Sequence, residues 1–489
     1  MNRVYKNNKK NKKDIFIIAV TIFLLVLLSL IVVPKDVFDA TDTRDYTDTA
    51  KFFAGEYSAK QRAAHPILYG LIHAPFVKLF HNYIPLKLSS IFWLSLLIIS
   101  LYFISNKNKK TLWLFLTAPI IWYMSVWISP LPLVSLLFLW AYYFIDKFDI
   151  QEKIRYLIYS GLLLGLASAF WTTALYISFI FLFSFLYNKK FYNFLILSVF
   201  IFIGFSPILI LDQILFGLPF YSLFKHMSSC IVFFLYGGIY GQYEGTFLRI
   251  IFTLLFVPFY FYLFFKKENF LKYKKTIIFL TLFILFILTT SQIRLLLPIT
   301  PIIILLFGKI MNQKQFRIQI IMFLILALIA INPYLIQTKY QINGNEFGSF
   351  LSNLPNLTFS EFSSSLIQQD LNEIAKEYPN ETFVVGNHRE DYRELAHLYW
   401  GKEIEEFVST EDYDLFLKNE STIISKKLSS NSRINDRREI WIEIGLDKNS
   451  NDKTDYDSIN YALSFDENFD IKNFKLIKKY NVLYLLQKE

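Results

Sequence analysis

The stretch from Asp42 to Gly70 reads DTRDYTDTAKFFAGEYSAKQRAAHPILYG and directly follows the first hydrophobic segment of the chain. It is dense in ionisable groups, with carboxylates in its first half and Lys60, Arg62 and His65 in its second half. If the first half is a helix on a membrane surface, its carboxylates lie close to one another and next to a basic group. The alternative interpretation is a solvated acidic loop that carries no chemistry.

The first half of this stretch has the periodicity of a helix. Five positions recur at helical spacing and share one face: Asp42, Asp45, Tyr46, Ala50 and Phe53. Gly55 can end this helix, and Pro66 can open the apolar run that follows. We therefore predict a surface helix that directs the carboxylates of Asp42 and Asp45 toward one spot.

The composition of the chain is that of a membrane protein. Of its 489 residues, 54% are hydrophobic and 19% are aromatic, and the mean hydropathy is +0.37. A soluble domain does not contain so large an apolar fraction, so most of the chain must lie in lipid. The net charge of +10 comes from Lys and Arg clustered at the ends of apolar runs. This distribution indicates membrane topology and argues against nucleic-acid binding.

With the single Cys230, intrachain disulfides and Cys-based metal clusters are excluded.

The amino terminus sets the orientation of the first helix. The segment MNRVYKNNKKNKK is strongly basic, which places it in the cytoplasm by the positive-inside rule. The apolar run from Asp14 to Val33 is long enough to span a bilayer and lacks a small-residue cleavage site, so we predict an uncleaved first helix. The stretch from Asp42 to Gly70 is then on the outer face.

The short run Ile67–Phe80 decides the side of everything that follows. It is apolar but is interrupted by His73, Pro75 and Lys78. If it does not span, the downstream basic clusters all fall in the cytoplasm, and if it spans they all fall outside. The positive-inside rule therefore favours the non-spanning interpretation. The clusters lie at 106–110, 147–155, 189–190, 266–275 and 309–317.

On this topology the sequence predicts a polytopic α-helical membrane protein with about 11 transmembrane helices, followed by a soluble α/β domain. The predicted spans are 14–33, 86–105, 111–128, 131–145, 156–172, 173–188, 191–211, 246–265, 276–291, 295–308 and 318–336. The transmembrane domain is assigned to 1–339, with an outer catalytic loop at 34–85, and the extracytoplasmic domain to 340–489. Within that domain we predict helices at 361–377 and 389–399. Five segments read as short strands: TFVVG, EIEEFV, TIIS, EIWIEIG and YNVLYLL.

Two other outer segments carry polar groups. Leu211–Gly245 combines glycines with polar residues, which is typical of a lined cavity. Arg294 stands at the outer end of a predicted span that Pro298 and Pro301 bend, where a guanidinium can reach a lipid phosphate. The alternative for Arg294 is snorkelling to ordinary lipid headgroups. No metal site is predicted, because His388 and His397 lack a recognisable ligand spacing.

The chain resembles the GT-C-type integral membrane glycosyltransferases, a superfamily that includes protein O-mannosyltransferases and aminoarabinose transferases. DTRDYTDTAKFFAG followed by RAAHPILYGLI is similar to their signature D-x-x-x-Y-x-x-x-A…G…HP-x-x-Y. Three later segments agree in order: GLLLGLASAFWTTAL at 161–175, LFGLPF at 215–220 and RLLLPITP at 294–301. In the last of these, Leu295 replaces the usual tyrosine. The resemblance covers residues 14–336.

The resemblance implies an enzyme that moves a sugar, with inversion, from a polyprenyl- or dolichyl-phosphate donor to an acceptor hydroxyl on the outer face. Asp42 matches the leading aspartate and is the expected catalytic base, and Asp45 is the second choice. Lys60, Arg62 and Arg294 are expected phosphate partners, and His65 is expected to bind the donor or position the loop. Tyr46 and Tyr69 match the signature tyrosines. A carboxylate can take the hydroxyl proton, and a positive clamp can hold the lipid phosphate that leaves.

Other functions remain open. The acceptor is a glycan, a lipid or a protein, no cofactor is expected, and a divalent metal is left open. A lipid or sugar transporter or flippase is the rival from another class, but ionisable residues here are concentrated in the outer loops and are rare in the middle of the spans. An outward-facing glycan polymerase or ligase is the rival among enzymes. The expected location is the plasma membrane, with the amino terminus in the cytoplasm.

We predict that residues 34–85 and 340–489 both face outward, because only this topology puts all the basic clusters on the cytoplasmic side. The variants Ser58→Cys and Ser430→Cys, each in a chain whose Cys230 has been replaced, should react with an impermeant thiol reagent in intact cells. Protection of either cysteine would contradict the topology.

Overall fold

The computed structural model of the chain describes most of the helical region and part of the C-terminal region. The described residues are 2–32, 41–55, 67–81, 84–125, 127–187, 189–224, 226–227, 256–290, 293–335, 364–386, 395, 399–401, 403–410, 413, 417, 456–467, 471 and 473–489. At some helical positions, among them 41–45 and 48, the backbone alone is described.

The described part of the chain is mainly helical. The helices are α1 (Asn2–Val32), α2 (Thr41–Ala54), α3 (Ile67–Phe80), α4 (Ile84–Ile104), α5 (Lys109–Thr117), α6 (Pro119–Met124), α7 (Leu131–Gln151), α8 (Ile154–Phe170), α9 (Ala174–Tyr187), α10 (Phe191–Phe216), α11 (Lys267–Thr290), α12 (Thr300–Ile310), α13 (Gln313–Leu335) and α14 (Ser364–Glu377). Short 3₁₀ helices lie between them at Phe259–Phe265 and Ile293–Leu296, and a third follows them at Tyr456–Ser458.

Three of the described helices, α4, α7 and α10, are long and apolar enough to cross a membrane. The helices α3, α8, α9 and α12 are apolar but shorter. The chain is therefore an integral membrane protein, but the predicted number of about 11 spans is not confirmed. One cause is visible at the predicted span 111–128, which is divided into α5 and α6. Ala118 is extended (ψ 123°) because the ring of Pro119 disfavours the helical conformation of the residue before it.

Helices α4 and α7 run parallel to each other. Near their starts, the Ser129 N–H donates to Ser90 Oγ at 3.4 Å, and further along, Trp140 Nε1 donates to Ser100 Oγ at 3.1 Å. Two parallel helices that follow each other in the chain need a returning segment, and α5 and α6 provide it. The starts of α4 and α7 thus lie at one end of the bundle, and their ends lie at the other.

Lysines from two of the basic clusters lie at the end of the bundle opposite the starts of α4 and α7. Asp14 forms an ion pair with Lys109 at 3.1 Å and accepts from Tyr102 Oη at 3.3 Å, which joins the start of the apolar part of α1 to the end of α4. At the end of α7, Lys275 pairs with Asp149 at 2.9 Å. Each of these two ion pairs joins segments that lie far apart in the sequence.

Glycines allow α8 and α10 to approach each other closely. A Cβ atom on Gly165 would lie 2.1 Å from the carbonyl oxygen of Ile201 and 2.8 Å from the Cα of Gly204. Side chains at these two positions would force the helices apart, and small residues are the usual solution where helices meet in a membrane. Gly165 belongs to the GLLLG segment that carries part of the family resemblance.

The sequence predicts short strands in the C-terminal region, and the described residues there form a five-stranded mixed sheet. Its strands are β1 (Thr382–Val385), β2 (Glu406–Ser409), β3 (Tyr461–Ser464), β4 (Phe474–Lys479) and β5 (Tyr484–Lys488), in the order β2-β1-β3-β5-β4. β1 is parallel to β2 and β3, whereas β5 is antiparallel to β3 and β4.

The predicted segments TFVVG and EIEEFV correspond to β1 and β2, and the segment YNVLYLL contains a turn followed by β5. Periodicity missed β3 and β4, and the segments TIIS and EIWIEIG lie outside the described residues. The predicted helix at 361–377 is α14, while most of 389–399 lies outside the described residues.

A buried carboxylate ties α14 to the turn between β4 and β5. Asp370 is fully buried and accepts hydrogen bonds from the backbone N–H groups of Asn481 (3.2 Å), Val482 (2.8 Å) and Leu483 (3.0 Å), and from the Asn481 side chain (2.7 Å). Two turns later, Glu377 accepts from Lys478, and this contact lowers the pKa of Glu377. The turn is held by α14 at two points.

We predict that Asp370→Ala destabilises the C-terminal sheet by about 3 kcal/mol or more, because several buried N–H groups lose a charged acceptor at once. The measurement is thermal unfolding of the full-length protein in detergent, in which the protease resistance of the C-terminal region reports unfolding. Gln369→Ala is the matched control, since Gln369 is exposed and contacts Glu373 within the same helix. Equal unfolding temperatures for the two variants would contradict the assigned role of Asp370.

Candidate functional site

Helix α2 packs against α3 at the end of the bundle where α4 and α7 start. The rings of Tyr46 and Tyr69 meet edge to face, with centroids 5.4 Å apart, and both side chains are buried. A Cβ atom on Gly70 would lie 2.6 Å from Thr49 Cγ2 and 2.9 Å from the backbone nitrogen of Ala50. The two helices therefore touch nearly backbone to backbone, which only glycine at position 70 permits.

Tyr69 is in turn fixed by α4 and by the loop before α7. Ser90 Oγ donates to the carbonyl oxygen of Leu86 at 3.3 Å, so it must accept from the Tyr69 hydroxyl, which lies at 3.3 Å. The same oxygen accepts from the Ser129 N–H at 3.4 Å. One serine hydroxyl thus joins α3, α4 and the start of α7.

His73, one turn after Tyr69, adds a second link between α3 and α4. Its Nδ1 lies 2.6 Å from the carbonyl oxygen of Tyr69, and its Nε2 lies 2.5 Å from Ser89 Oγ. A carbonyl oxygen can only accept, so Nδ1 carries the proton and Nε2 of the neutral ring accepts from Ser89. This arrangement assigns His73 to holding the helices together.

The opposite side of α2 contacts the C-terminal region. Lys51 is buried, and its Nζ donates to the carbonyl oxygen of Tyr399 at 2.7 Å and lies 4.1 Å from the centroid of the Trp400 ring. Tyr399 Oη donates to Glu403 at 2.7 Å. Burial raises the pKa of Tyr399, and Glu403 raises it further, so the phenol remains a donor at neutral pH.

Arg294 lies in the 3₁₀ turn that precedes α12 and is half-buried. Its guanidinium carbon is 5.7 Å from the centroid of the Trp127 ring, within the range of a cation–π contact. Trp127 is two residues before Ser129, whose N–H bonds to Ser90. The arginine is therefore connected through one short loop to the contacts that fix Tyr69.

The structure brings together some of the predicted site residues. Tyr46 and Tyr69 touch, and the backbone of Asp42 and Asp45 belongs to α2, with Asp42 one turn before Tyr46. The helix ends where the sequence predicts, because Gly55 has a left-handed conformation with φ 67°. The side chains of the two aspartates are outside the described atoms. Lys60, Arg62 and His65 are outside the described residues.

Sequence reasoning missed three polar residues in this region, namely Lys51, His73 as a helix link, and Lys87. Lys87 is buried near the start of α4, on the same face as Ser90 one turn later. The available signal was a lysine placed at the start of an otherwise apolar run. Lys51 gave no such signal, because its partners are about 350 positions away in the sequence. Within the described residues, no cluster of three His, Cys, Asp or Glu side chains is arranged to hold a metal ion.

Comparison with known proteins identifies a similar fold. The chain superposes on ArnT from Cupriavidus metallidurans, whose crystal structure is bound to undecaprenyl phosphate, with a TM-score of 0.61. The similarity covers 96% of this chain and 97% of that chain, at 10% sequence identity. No protein-family model and no curated protein sequence matches the chain. ArnT is an aminoarabinose transferase with the GT-C fold, so the resemblance in fold that the sequence motifs predict is confirmed.

Proposed function

We propose that this protein is a membrane glycosyltransferase that takes a sugar from a polyprenyl-phosphate-linked donor and transfers it to an acceptor nucleophile. The observation that carries the proposal is the placement of the aspartate-bearing helix α2 against Tyr69 in a chain with the ArnT fold. The ArnT structure holds undecaprenyl phosphate, which is a ligand of the proposed donor class. The described helices supply a large apolar body beside which a polyprenyl chain can lie.

Asp42 is the proposed base, and Asp45 is the second candidate. A hydroxyl acceptor is a weak nucleophile, and a carboxylate that takes its proton while the new bond to C1 forms makes the attack feasible. Attack from the face opposite the leaving phosphate inverts the configuration at C1. The contacts of Tyr46 with Tyr69 and of Ala50 with Gly70 limit where the first turn of α2 can lie, which supports a fixed position for the base.

Arg294 is the proposed clamp for the leaving lipid phosphate. The phosphate is a stable anion, so a positive partner assists departure more than a general acid does. A planar guanidinium can bind it with two parallel hydrogen bonds, while its face remains on Trp127. Lys60, Arg62 and His65 are proposed as further donor-binding groups, and Lys87 adds a buried cation near Ser90.

We further propose that α2, the loop that follows it and the domain 340–489 lie on the outer face of the membrane, with the amino terminus in the cytoplasm. The basic groups at the ends of α4 and α7, opposite the candidate site, support this orientation. A transporter of lipids or sugars and an outward-facing glycan polymerase remain the rivals. Supplying purified protein with polyprenyl-phosphate mannose, polyprenyl-phosphate aminoarabinose and a pyrophosphate-linked oligosaccharide separates them, because only the proposed function consumes a monosaccharide phosphate donor by transfer.

We expect Arg294→Lys to weaken the binding of polyprenyl phosphate, because an ammonium cannot form the bidentate contact. Loss of one charge-assisted hydrogen bond corresponds to roughly 10-fold in affinity. The measurement is titration of the purified protein with polyprenyl phosphate in nanodiscs. Arg317→Lys is the control, since Arg317 is exposed on α13. An unchanged affinity for polyprenyl phosphate in Arg294→Lys would contradict the clamp and would show that Arg294 serves only as an anchor at the membrane surface.

We expect Asp42→Asn to leave donor binding intact and to lower the transfer rate by about 10²–10⁴-fold, the usual loss when a positioned base is removed. Asp45→Asn should lower the transfer rate less. Asp149→Asn is the control and should change the rate little, because Asp149 pairs with Lys275 at the far end of α7. The rate is measured with purified protein and the polyprenyl-phosphate sugar that it uses.

The same set of variants identifies the base if the assignment is wrong. Near-normal turnover in Asp42→Asn together with an inactive Asp45→Asn would reassign the base to Asp45. Activity in both single variants and in the double variant would rule out a carboxylate-assisted mechanism on this helix.

A further inference from the structure

Lys51 occupies an unusual position for a lysine. It is 1% exposed, although lysine is almost never fully buried without partners that satisfy its charge. Its ammonium group donates to the Tyr399 carbonyl oxygen at 2.7 Å and lies 4.1 Å from the centroid of the Trp400 ring. A carbonyl dipole and an aromatic face both stabilise a cation, and they do so more strongly away from water. Residues from the two ends of the chain thus build one charge-stabilising contact.

Tyr399 and Trp400 are neighbours in the sequence but belong to different cores. Tyr399 is buried in the cluster that contains Phe383 and Phe407 of the C-terminal sheet. Trp400 packs against the core of the helical region, which includes Ala50 of α2. A displacement of the C-terminal sheet would therefore be transmitted directly to the surface on which α2 lies.

The segment that carries these two residues is held rigidly. Tyr399 Oη donates to Glu403 Oε2 at 2.7 Å and accepts from the N–H groups of Glu403 (3.2 Å) and Ile404 (3.3 Å). A Cβ atom on Gly401 would lie 2.3 Å from Tyr399 Oη, so a larger residue there would displace the Tyr399 side chain from its bond with Glu403. These bonds hold the side chain of Tyr399, whose carbonyl oxygen receives Lys51, and Trp400 packs on the helical core beside it.

Helix α2 needs such support because it is short. It has 14 residues, and an isolated helix of that length is marginal in water. Gly70 and Tyr69 hold one side of it, and the contacts of Lys51 hold the other. Lys51 is nine residues after Asp42, which is about 13 Å along a helix, so it acts at a distance from the proposed base.

We infer that Lys51, Tyr399 and Trp400 form a joint through which the C-terminal domain positions α2, and with it Asp42 and Asp45, for sugar transfer. This inference rests on the proposed function for its catalytic part. Lys51 is a positioning residue in this scheme. On this inference the C-terminal domain contributes to the chemical step through the placement of α2.

The first measurement tests the joint without any assay of transfer. Hydrogen exchange of the α2 backbone is compared in the wild-type full-length protein, Lys51→Met, Lys51→Arg, Trp400→Leu and the double variant of Lys51→Met with Trp400→Leu. We expect faster exchange in Lys51→Met and in Trp400→Leu, and no further increase in the double variant. Lys51→Arg should keep near-normal protection, because it keeps the charge and the contact with the Trp400 ring. Lys78→Met, on the exposed face of α3, is the matched control.

The second measurement separates positioning from general stability. With the polyprenyl-phosphate monosaccharide that the wild-type protein uses, Lys51→Met and Trp400→Leu should lower kcat by about 10–100-fold and leave the donor KM within about 3-fold, because a displaced reacting group loses rate more than affinity. Lys51→Arg should restore most of kcat.

Each result bears on one of the two proposals. Unchanged exchange in Lys51→Met, or additive effects in the double variant, would overturn the joint. Faster exchange with an unchanged kcat would overturn its positioning role. A wild-type protein that transfers no sugar from any lipid-phosphate donor would overturn the proposed function and the catalytic part of the inference together, while hydrogen exchange still decides whether the joint orders α2.

Discussion

The candidate site depends on the close contact between α2 and α3 at Gly70. A Cβ atom on Gly70 would collide with Thr49 and with the Ala50 backbone. Gly70 also follows Tyr69, which Ser90 connects to α4 and α7. Because the contact is nearly backbone to backbone, it leaves little freedom for α2 to rotate or slide. A polar helix that carries carboxylates can thereby keep a fixed place beside an apolar bundle.

The second side of α2 shows why the C-terminal region belongs to the site. Lys51 is a cation that would be costly to bury alone, and the Tyr399 carbonyl oxygen and the Trp400 ring offset that cost. The helical core and the core of the C-terminal sheet meet at this point, since Trp400 packs on the helical core and Tyr399 belongs to the core of the sheet. The same region that is polar in sequence and folds as a sheet is thus in contact with the helix that carries Asp42.

Electrostatics and packing divide the molecule into two ends. The starts of α4 and α7 carry the polar contacts around Ser90, whereas their far ends carry the ion pairs Asp14–Lys109 and Asp149–Lys275. On the proposed topology the end with the lysines is the cytoplasmic one, and the apolar length of α4 and α7 sets the distance between the ends. The proposed lipid-linked donor fits this division, because its phosphate can lie at the polar end while its tail lies along the apolar helices.

The amino-acid sequence by itself determined the class of protein, the existence and end of α2, the presence of a C-terminal sheet and the likeness to the GT-C fold. These features follow from local causes: apolar runs must span or be buried in lipid, Gly55 ends a helix by adopting a positive φ, and motif order is carried along one chain. Only the tertiary structure decided the roles of Gly70, Lys51 and Asp370, because each acts on a partner that is distant in sequence. The division of the predicted span 111–128 at Ala118 has a local cause instead, because the ring of Pro119 disfavours the helical conformation of the preceding residue, and the hydropathy of the run did not reveal it. Hydropathy measures transfer into lipid and carries no information about which backbone meets which, so the contacts that build the site had to come from the fold.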